Sequence, residues 1–337
     1  MMLVWAMGMS EGALGVSDCV RAWQALVRPV LEYGVVVWGD AKWEQAERVQ
    51  REMAKMILRC SSKMANEVVL GELGWWTLKG RRDFLILNYW GKIVGEMSPH
   101  RLVYHVYQTS RSRYDNSHKN KHSTDKWCRN VHSLLKSIGM EEIWKANTLT
   151  ESEAKQWRSR IKERIREREE TQWKESMQTK PKLRTYRQLK TKLQFERTYL
   201  TTRDREAREV MTRLRGGTNE LRIETGRYAI TNRDRPLELN ERRCLICLNG
   251  EIEDETHFVM NCNVYDDLRA KMLDAVSSAL SKEGVEVEEA MKSEEGRKKI
   301  MTVHFCKRAM RQERDRSDNI GSKDMRKIWT ILTEGGG

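Results

Sequence analysis

The stretch CLICLNGEIEDETHFVMNC, residues 244–262, gathers three of the chain's seven cysteines and one of its seven histidines. Cys244 and Cys247 are separated by two residues, His257 follows after nine more, and Cys262 after a further four. Two cysteines so spaced can turn back on one ion without strain, and the His-to-Cys spacing places the last two side chains about one helical turn apart. Three thiolates and one imidazole form a soft tetrahedral donor set suited to Zn2+. Because the protein fills all four positions, none is left for water, and the expected role is structural rather than catalytic. Asn249-Gly250 is a turn signal inside the intervening polar loop, and Phe258 and Val259 supply a small apolar patch. Two other readings remain: a chance cluster of buried reduced thiols, and a redox Cys-x-x-Cys, which would need a βαβ context.

Other chemistry is poorly specified. Asp266 and Asp267 in VYDDL are paired carboxylates of the kind that hold two metal ions. A polymerase site would also need a third carboxylate and a β-hairpin, however, and acids at this position suit the start of a helix. GVVVWGD lacks a phosphate-loop glycine pattern, and no Ser/His/Asp set stands out.

The elements expected to position these residues are mainly α-helical. Of 337 residues, 33% are charged, 12 are Trp and only 4 are Pro. In WEQAERVQREMAKMILR, Trp43, Ala46, Val49, Met53, Met56 and Ile57 recur at intervals of three and four, as on an amphipathic helix. Pro29 should start or kink the helix before it, with Gly34 and Gly39 at its end. RRDFLILNYWGKIVGEM is apolar nearly all round, which predicts a central helix, and the aromatics are expected in the core, with base stacking by Trp75 or Trp76 the minority reading. Residues 101–149 read as a polar, flexible connector. Thr150 and Glu153 form a capping box that opens a long, largely exposed helix with a thin stripe of Trp157, Ile161 and Ile165. Leu183, Tyr186, Leu189 and Leu193 share one face, as do Ala207, Val210, Met211 and Leu214. The glycine-ended tail is expected to fray.

Charge is uneven. Lys plus Arg against Asp plus Glu is 21 against 15 over residues 1–150, 26 against 16 over 151–243, and 15 against 18 over 244–337. The positive excess thus lies just upstream of the cysteines, where a basic face can neutralise phosphates. An odd cysteine count, with Cys19, Cys60, Cys128 and Cys306 scattered, predicts a reducing compartment without a disulfide framework. No run of apolar residues is long enough to span a membrane, and the start lacks the positive region of a signal peptide. The expected location is nuclear or cytoplasmic.

Three blocks, VRPVLEYGVVVWG, ERVQREMAKMILR and GELGWWTLKGRRDFLILNYWGKIV, resemble the region just after the polymerase core of non-LTR (LINE-type) retrotransposon reverse transcriptases. KLRTYRQLK…LRGGTNELRIETGRY and RRCLICLNGEIEDETHFVMNC…YDDLR resemble that family's C-terminal segment with its Cys-Cys-His-Cys knuckle. The resemblance covers about residues 18–275. It implies a helical thumb-like bundle, a long basic helical linker, and a small zinc knuckle followed by a helix, the knuckle helping to bind element RNA or target DNA. The family's ligand set carries over onto Cys244, Cys247, His257 and Cys262, although the gap before His257 is slightly long for the pattern. The palm motif with its two aspartates and the N-terminal nuclease are missing from this sequence. RDRPLEL precedes the knuckle and lacks the Asp of the family's C-terminal nuclease motif.

The expected division is therefore 1–100 thumb-like, 101–149 connector, 150–240 basic linker, 241–282 knuckle with its helix, and 283–337 tail. The expected function is nucleic-acid binding without catalysis. Candidate phosphate contacts are Arg184, Arg187, Lys190, Lys192, Arg213, Arg215, Arg222, Arg227, Arg242 and Arg243. The alternatives are a zinc-stabilised helical scaffold for a protein partner and a retroelement relic without function.

Overall fold

The computed structural model describes residues 14–40, 43–117, 125–201, 205–228, 235–247, 249–267, 269, 270 and 274. In chain order the helices are α1 (Val16–Ala22), α2 (Arg28–Glu32), α3 (Val35–Trp38), α4 (Glu44–Leu58), α5 (Asn66–Leu73), α6 (Leu78–Gly95) and α7 (Leu102–Ser117). They continue as α8 (Lys126–Ser137), α9 (Glu141–Ala146), α10 (Glu151–Gln178), α11 (Arg184–Leu189), α12 (Thr198–Thr201), α13 (Arg205–Arg215) and α14 (Arg222–Thr225). Among the described residues β-structure is limited to isolated bridges, Leu73 with Phe195 and Arg243 with Ile252, so the protein is mainly α.

The chain divides into two compact units, and the division falls inside α1, α4 and α10: Arg21–Glu52 with Gly74–Glu175, and Met1–Val20 with Met53–Leu73 and Ser176–Gly337. This grouping cuts across the linear division expected at residues 100, 149 and 240.

The first unit is built around α6. Its Phe84, Ile86, Leu87, Trp90 and Ile93 are all buried, as expected of a helix apolar on most sides. Thr77 caps it, accepting a hydrogen bond from Gly80 N at 2.9 Å. Glu47 accepts from Leu78 N and Lys79 N at 3.1 and 2.7 Å, so orphan donors of the first turn meet an acid where the helix dipole favours one. Pro29 stands in the first turn of α2, after a π-turn over Trp23–Val27, and Gly34 takes a left-handed conformation (φ 65°) between α2 and α3. Trp75 is buried and stacks on Trp23 at 5.4 Å, and Trp76 is partly buried against the core.

One expectation fails here. Most of residues 101–149 is no flexible connector: α7, α8 and α9 occupy it, and Tyr107, Tyr114, Cys128, Val131, Leu134, Leu135 and Trp144 join the core. Residues 118–124, with His118 and His122, lie outside the described residues. The long helix α10 is largely exposed, as expected, and its stripe of Trp157, Ile161 and Ile165 is buried in the same core. Trp157 Nε1 donates to Leu87 O at 2.9 Å, across a point where α6 carries Gly91 and no side chain intervenes. The Thr150–Glu153 capping box forms as expected, with Thr150 N donating to Glu153 at 2.9 Å and Glu153 N to Thr150 Oγ1 at 3.3 Å.

In the second unit, Leu183, Tyr186, Leu193 and Met211 are buried, but α11 ends at Leu189, which is only half-buried, so Leu193 reaches the core from a bend and not from the expected shared helical face. The side chains of Ala207 and Val210 lie outside the described residues, as does the tail from residue 275. Glu72, Arg215, Glu196 and Lys190 form a buried charged chain: Arg215 to Glu72 at 2.9 Å, Arg215 to Glu196 at 3.5 Å, Lys190 to Glu196 at 3.2 Å.

Candidate metal centre

The four expected ligands come together. Cys244 Sγ, Cys247 Sγ, Cys262 Sγ and a ring nitrogen of His257 all lie within 4.8 Å of one another, and Cys247 Sγ is 3.4 Å from His257 Nε2. Zn–S bonds of about 2.3 Å and Zn–N bonds of about 2.0 Å on a tetrahedron give S···N edges of roughly 3.5 Å and S···S edges of roughly 3.8 Å. The donor set therefore fits one tetrahedral ion.

Local structure explains how the ligands converge. Cys244 N donates to Glu251 O at 2.8 Å and Glu253 N to Arg242 O at 2.9 Å. The Arg243–Ile252 bridge lies between these bonds, making a two-rung antiparallel rib. The rib turns through Asn249-Gly250, where Gly250 has φ 76°, as the turn signal predicts. The second pair is closed by a π-turn over His257–Asn261, in which Cys262 N donates to His257 O at 2.7 Å. Five residues of α-helix rotate by about 500°, leaving the two side chains about 140° apart; the wider turn restores a common face. Phe258, Val259, Met260 and Tyr265 are buried beside it, with Phe258 and Tyr265 rings 5.0 Å apart.

Cys244, Cys262 and His257 are buried, whereas Cys247 is half-buried. Burial pushes the Cys262 thiol up to about 12 and raises that of Cys244. The Asn249 backbone N–H lowers that of Cys247. Zinc binds the thiolate form, so uptake of the metal by these thiols releases protons. Glu251 fixes the imidazole: its Oε2 lies 2.6 Å from His257 Nδ1, which leaves Nε2 toward the thiols.

The acids of the loop between the ligand pairs were not foreseen as functional. Asp254 caps His257 N at 2.7 Å. Glu255, 1% exposed, accepts from Arg184 at 3.0 and 2.7 Å, from Thr185 Oγ1 at 2.8 Å and from Asn219 Nδ2 at 3.0 Å. The density of acids in EIEDET beside a basic segment was the available signal.

The ten candidate phosphate contacts are placed unevenly. Arg184 binds Glu224 and Glu255. Arg187 donates to Met177 O and Gln178 O at the end of α10. Lys190 and Arg215 are buried in the charged chain described above. Arg213 pairs with Glu220 at 3.2 Å and Arg227 with Glu224 at 3.1 Å. Arg222 is half-buried, and the Arg242 guanidinium donates to Leu237 O and Ile223 O. Only Lys192 and Arg243 are exposed among the ten. Asp266 pairs with Arg269 and opens a helical turn, as a helix-start acid should.

In the first unit a cleft of about 510 Å3 is lined by Glu47, Lys79, Asp83, Arg168 and Glu169 among others. Its charges answer one another: Asp83 meets Lys79 and Arg168, and Glu169 accepts from Thr77 N and Oγ1. These pairs hold the helices around the cleft together. No helix among the described residues is long and apolar enough to cross a membrane. Comparison with protein-family models, with curated proteins and with solved structures finds no match.

Proposed function

We propose that the chain is a zinc-stabilised, nucleic-acid-binding helical protein, corresponding to the C-terminal part of a LINE-type reverse transcriptase and without polymerase or nuclease activity of its own. The observation that carries this reading is the closed cluster of three thiols and one imidazole at the end of the most basic third of the chain. Zinc held there by Cys244, Cys247, His257 and Cys262 supplies a cross-link between four points of the chain and no open coordination position. Phosphate contact falls to the exposed cations of the same unit: Lys63, Lys192, Arg197 and Arg243. RNA with unpaired segments is the favoured ligand, because single strands and loops can follow an irregular helical surface.

The test is a titration of fluorescent RNA with the purified chain, zinc-loaded and after chelation, at two salt concentrations. Salt-sensitive binding that weakens on chelation supports the reading; absence of binding in both metal states removes it. The internal pairing of most candidate cations, which removes them from any anionic ligand, favours one second reading, a zinc-stabilised helical scaffold for a protein partner. That reading gains if RNA does not bind while the chain still takes up one zinc.

A further inference from the structure

We infer that the loop between the two ligand pairs makes metal occupancy and the ordering of α11 and α14 a single equilibrium, with Glu255 as the coupling residue. The inference rests on the reading of the cluster as a metal site and adds what the metal controls.

Acids of this loop face the ligands and the neighbouring segment in turn. Glu251 accepts from Cys244 N through its carbonyl and holds His257 through its carboxylate. Glu253 has Oε1 3.9 Å from Cys244 Sγ, while its Oε2 accepts from Arg222 N at 2.9 Å and its carbonyl from Ile223 N at 3.0 Å. Those N–H groups open α14, whose N-cap residue, Leu221, has no side-chain acceptor. A helix end left without such partners has unsatisfied donors, so α14 depends on Glu253 for its start. Glu255 reaches farther, to Arg184 and Thr185 at the start of α11 and to Asn219 ahead of α14. A buried carboxylate deprived of its guanidinium and its hydrogen bonds is strongly unfavourable. The loop thus holds α11 and α14 only while its own path is fixed, and both ends of that path are metal ligands: Cys247 before it and His257 two residues beyond Glu255.

Linkage gives a quantitative consequence. If the metal orders α11 and α14 through the loop, weakening the loop's grip must weaken metal binding by the same factor.

The experiment is hydrogen exchange on the full chain, zinc-loaded and chelated, reading peptides over 184–189 and 219–225 against peptides over 84–93 of the first unit. Chelation, or Cys247→Ser, should lower protection of the first two by about tenfold or more and leave 84–93 unchanged. Glu255→Gln should keep one zinc per chain at saturating metal, lose the same protection, and bind zinc more weakly in competition with a chromophoric chelator. Thr185→Val, which removes one bond at the same carboxylate, should shift both readouts in the same direction by less, and serves if Glu255→Gln does not fold. Protection of 184–189 and 219–225 that is unchanged by chelation, or by Glu255→Gln and Thr185→Val, overturns the coupling. It does so whether or not RNA binds. A chain that takes up no zinc overturns both the metal reading and the coupling.

Discussion

Two side chains carry sharp predictions of their own. Glu251 is half-exposed, yet it decides which imidazole nitrogen faces the thiols. Removing such an outer partner of a ligating histidine typically weakens metal binding about 10- to 100-fold. Glu251→Ala should therefore lower zinc affinity within that range, measured by chelator competition, while cobalt substitution still gives a tetrahedral thiolate spectrum. Glu169 tests the first unit through its protonation. Burial raises its carboxyl above the ordinary 4.5, outweighing the hydrogen bonds from Thr77 and the nearby Arg168. A raised carboxyl binds its proton more tightly folded than unfolded, so stability falls as pH rises from about 4.5 through the folded value. Glu169→Gln keeps an acceptor for Thr77 and has no such proton. The denaturation midpoint of the wild-type chain should decline over that window relative to the variant. A constant difference between the two across pH would show that Glu169 is no more acidic unfolded than folded.

At the scale of elements, the packing of α10 on α6 depends on Gly91. A Cβ there would overlap the Trp157 indole, whose Nε1 donates to Leu87 O. Gly91→Ala gains about 1 kcal/mol of helix propensity but forces out a large ring and breaks a buried hydrogen bond, together costing roughly 2–4 kcal/mol. A net fall in melting temperature is expected, and an unchanged or higher one would show that Trp157 relocates freely. This contact also shows what the sequence could and could not reveal. Trp157, Ile161 and Ile165 were legible as a stripe, but a stripe one residue wide reads as a lightly anchored helix unless its groove is known, and the groove is a glycine in another element. The helices of residues 101–149 escaped for a related reason. In α7 and α9 the buried residues, Tyr107, Tyr114 and Trp144, are sparse and polar-tipped, with Arg111 over the Trp144 ring and His132 stacked on it. In α8 the buried Cys128, Val131, Leu134 and Leu135 do recur at helical spacing, a signal outweighed by the polar residues on either side. The metal ligands were legible because their spacing is local. The partner of Glu255, 71 residues away, has no local signature, since any of many arginines could pair with it.

For the whole molecule, net charge of +13 overstates the surface available to phosphates. Binding of single strands weakens with salt by a slope of about −0.7 per phosphate neutralised. Were all ten arginines and lysines read from the sequence engaged, the slope would approach roughly −7. Lys190 and Arg215 are buried, however, and most of the others donate to carboxylates or carbonyls within their own unit. Each phosphate taken up there would leave one of those acceptors deprived, and for a buried acid that is unfavourable. The exposed cations of the metal-bearing unit are Lys63, Lys192, Arg197 and Arg243. Four phosphates give a slope of about −3. Lys192→Ala with Arg243→Ala should flatten it by roughly 1.4 without altering zinc content or melting temperature. Arg215→Ala should behave oppositely, leaving the slope of whatever folds unchanged and destabilising the unit by about 3–5 kcal/mol through the stranded Glu72. A slope near −7, or one insensitive to Lys192 and Arg243, would place the nucleic acid on a surface other than this one.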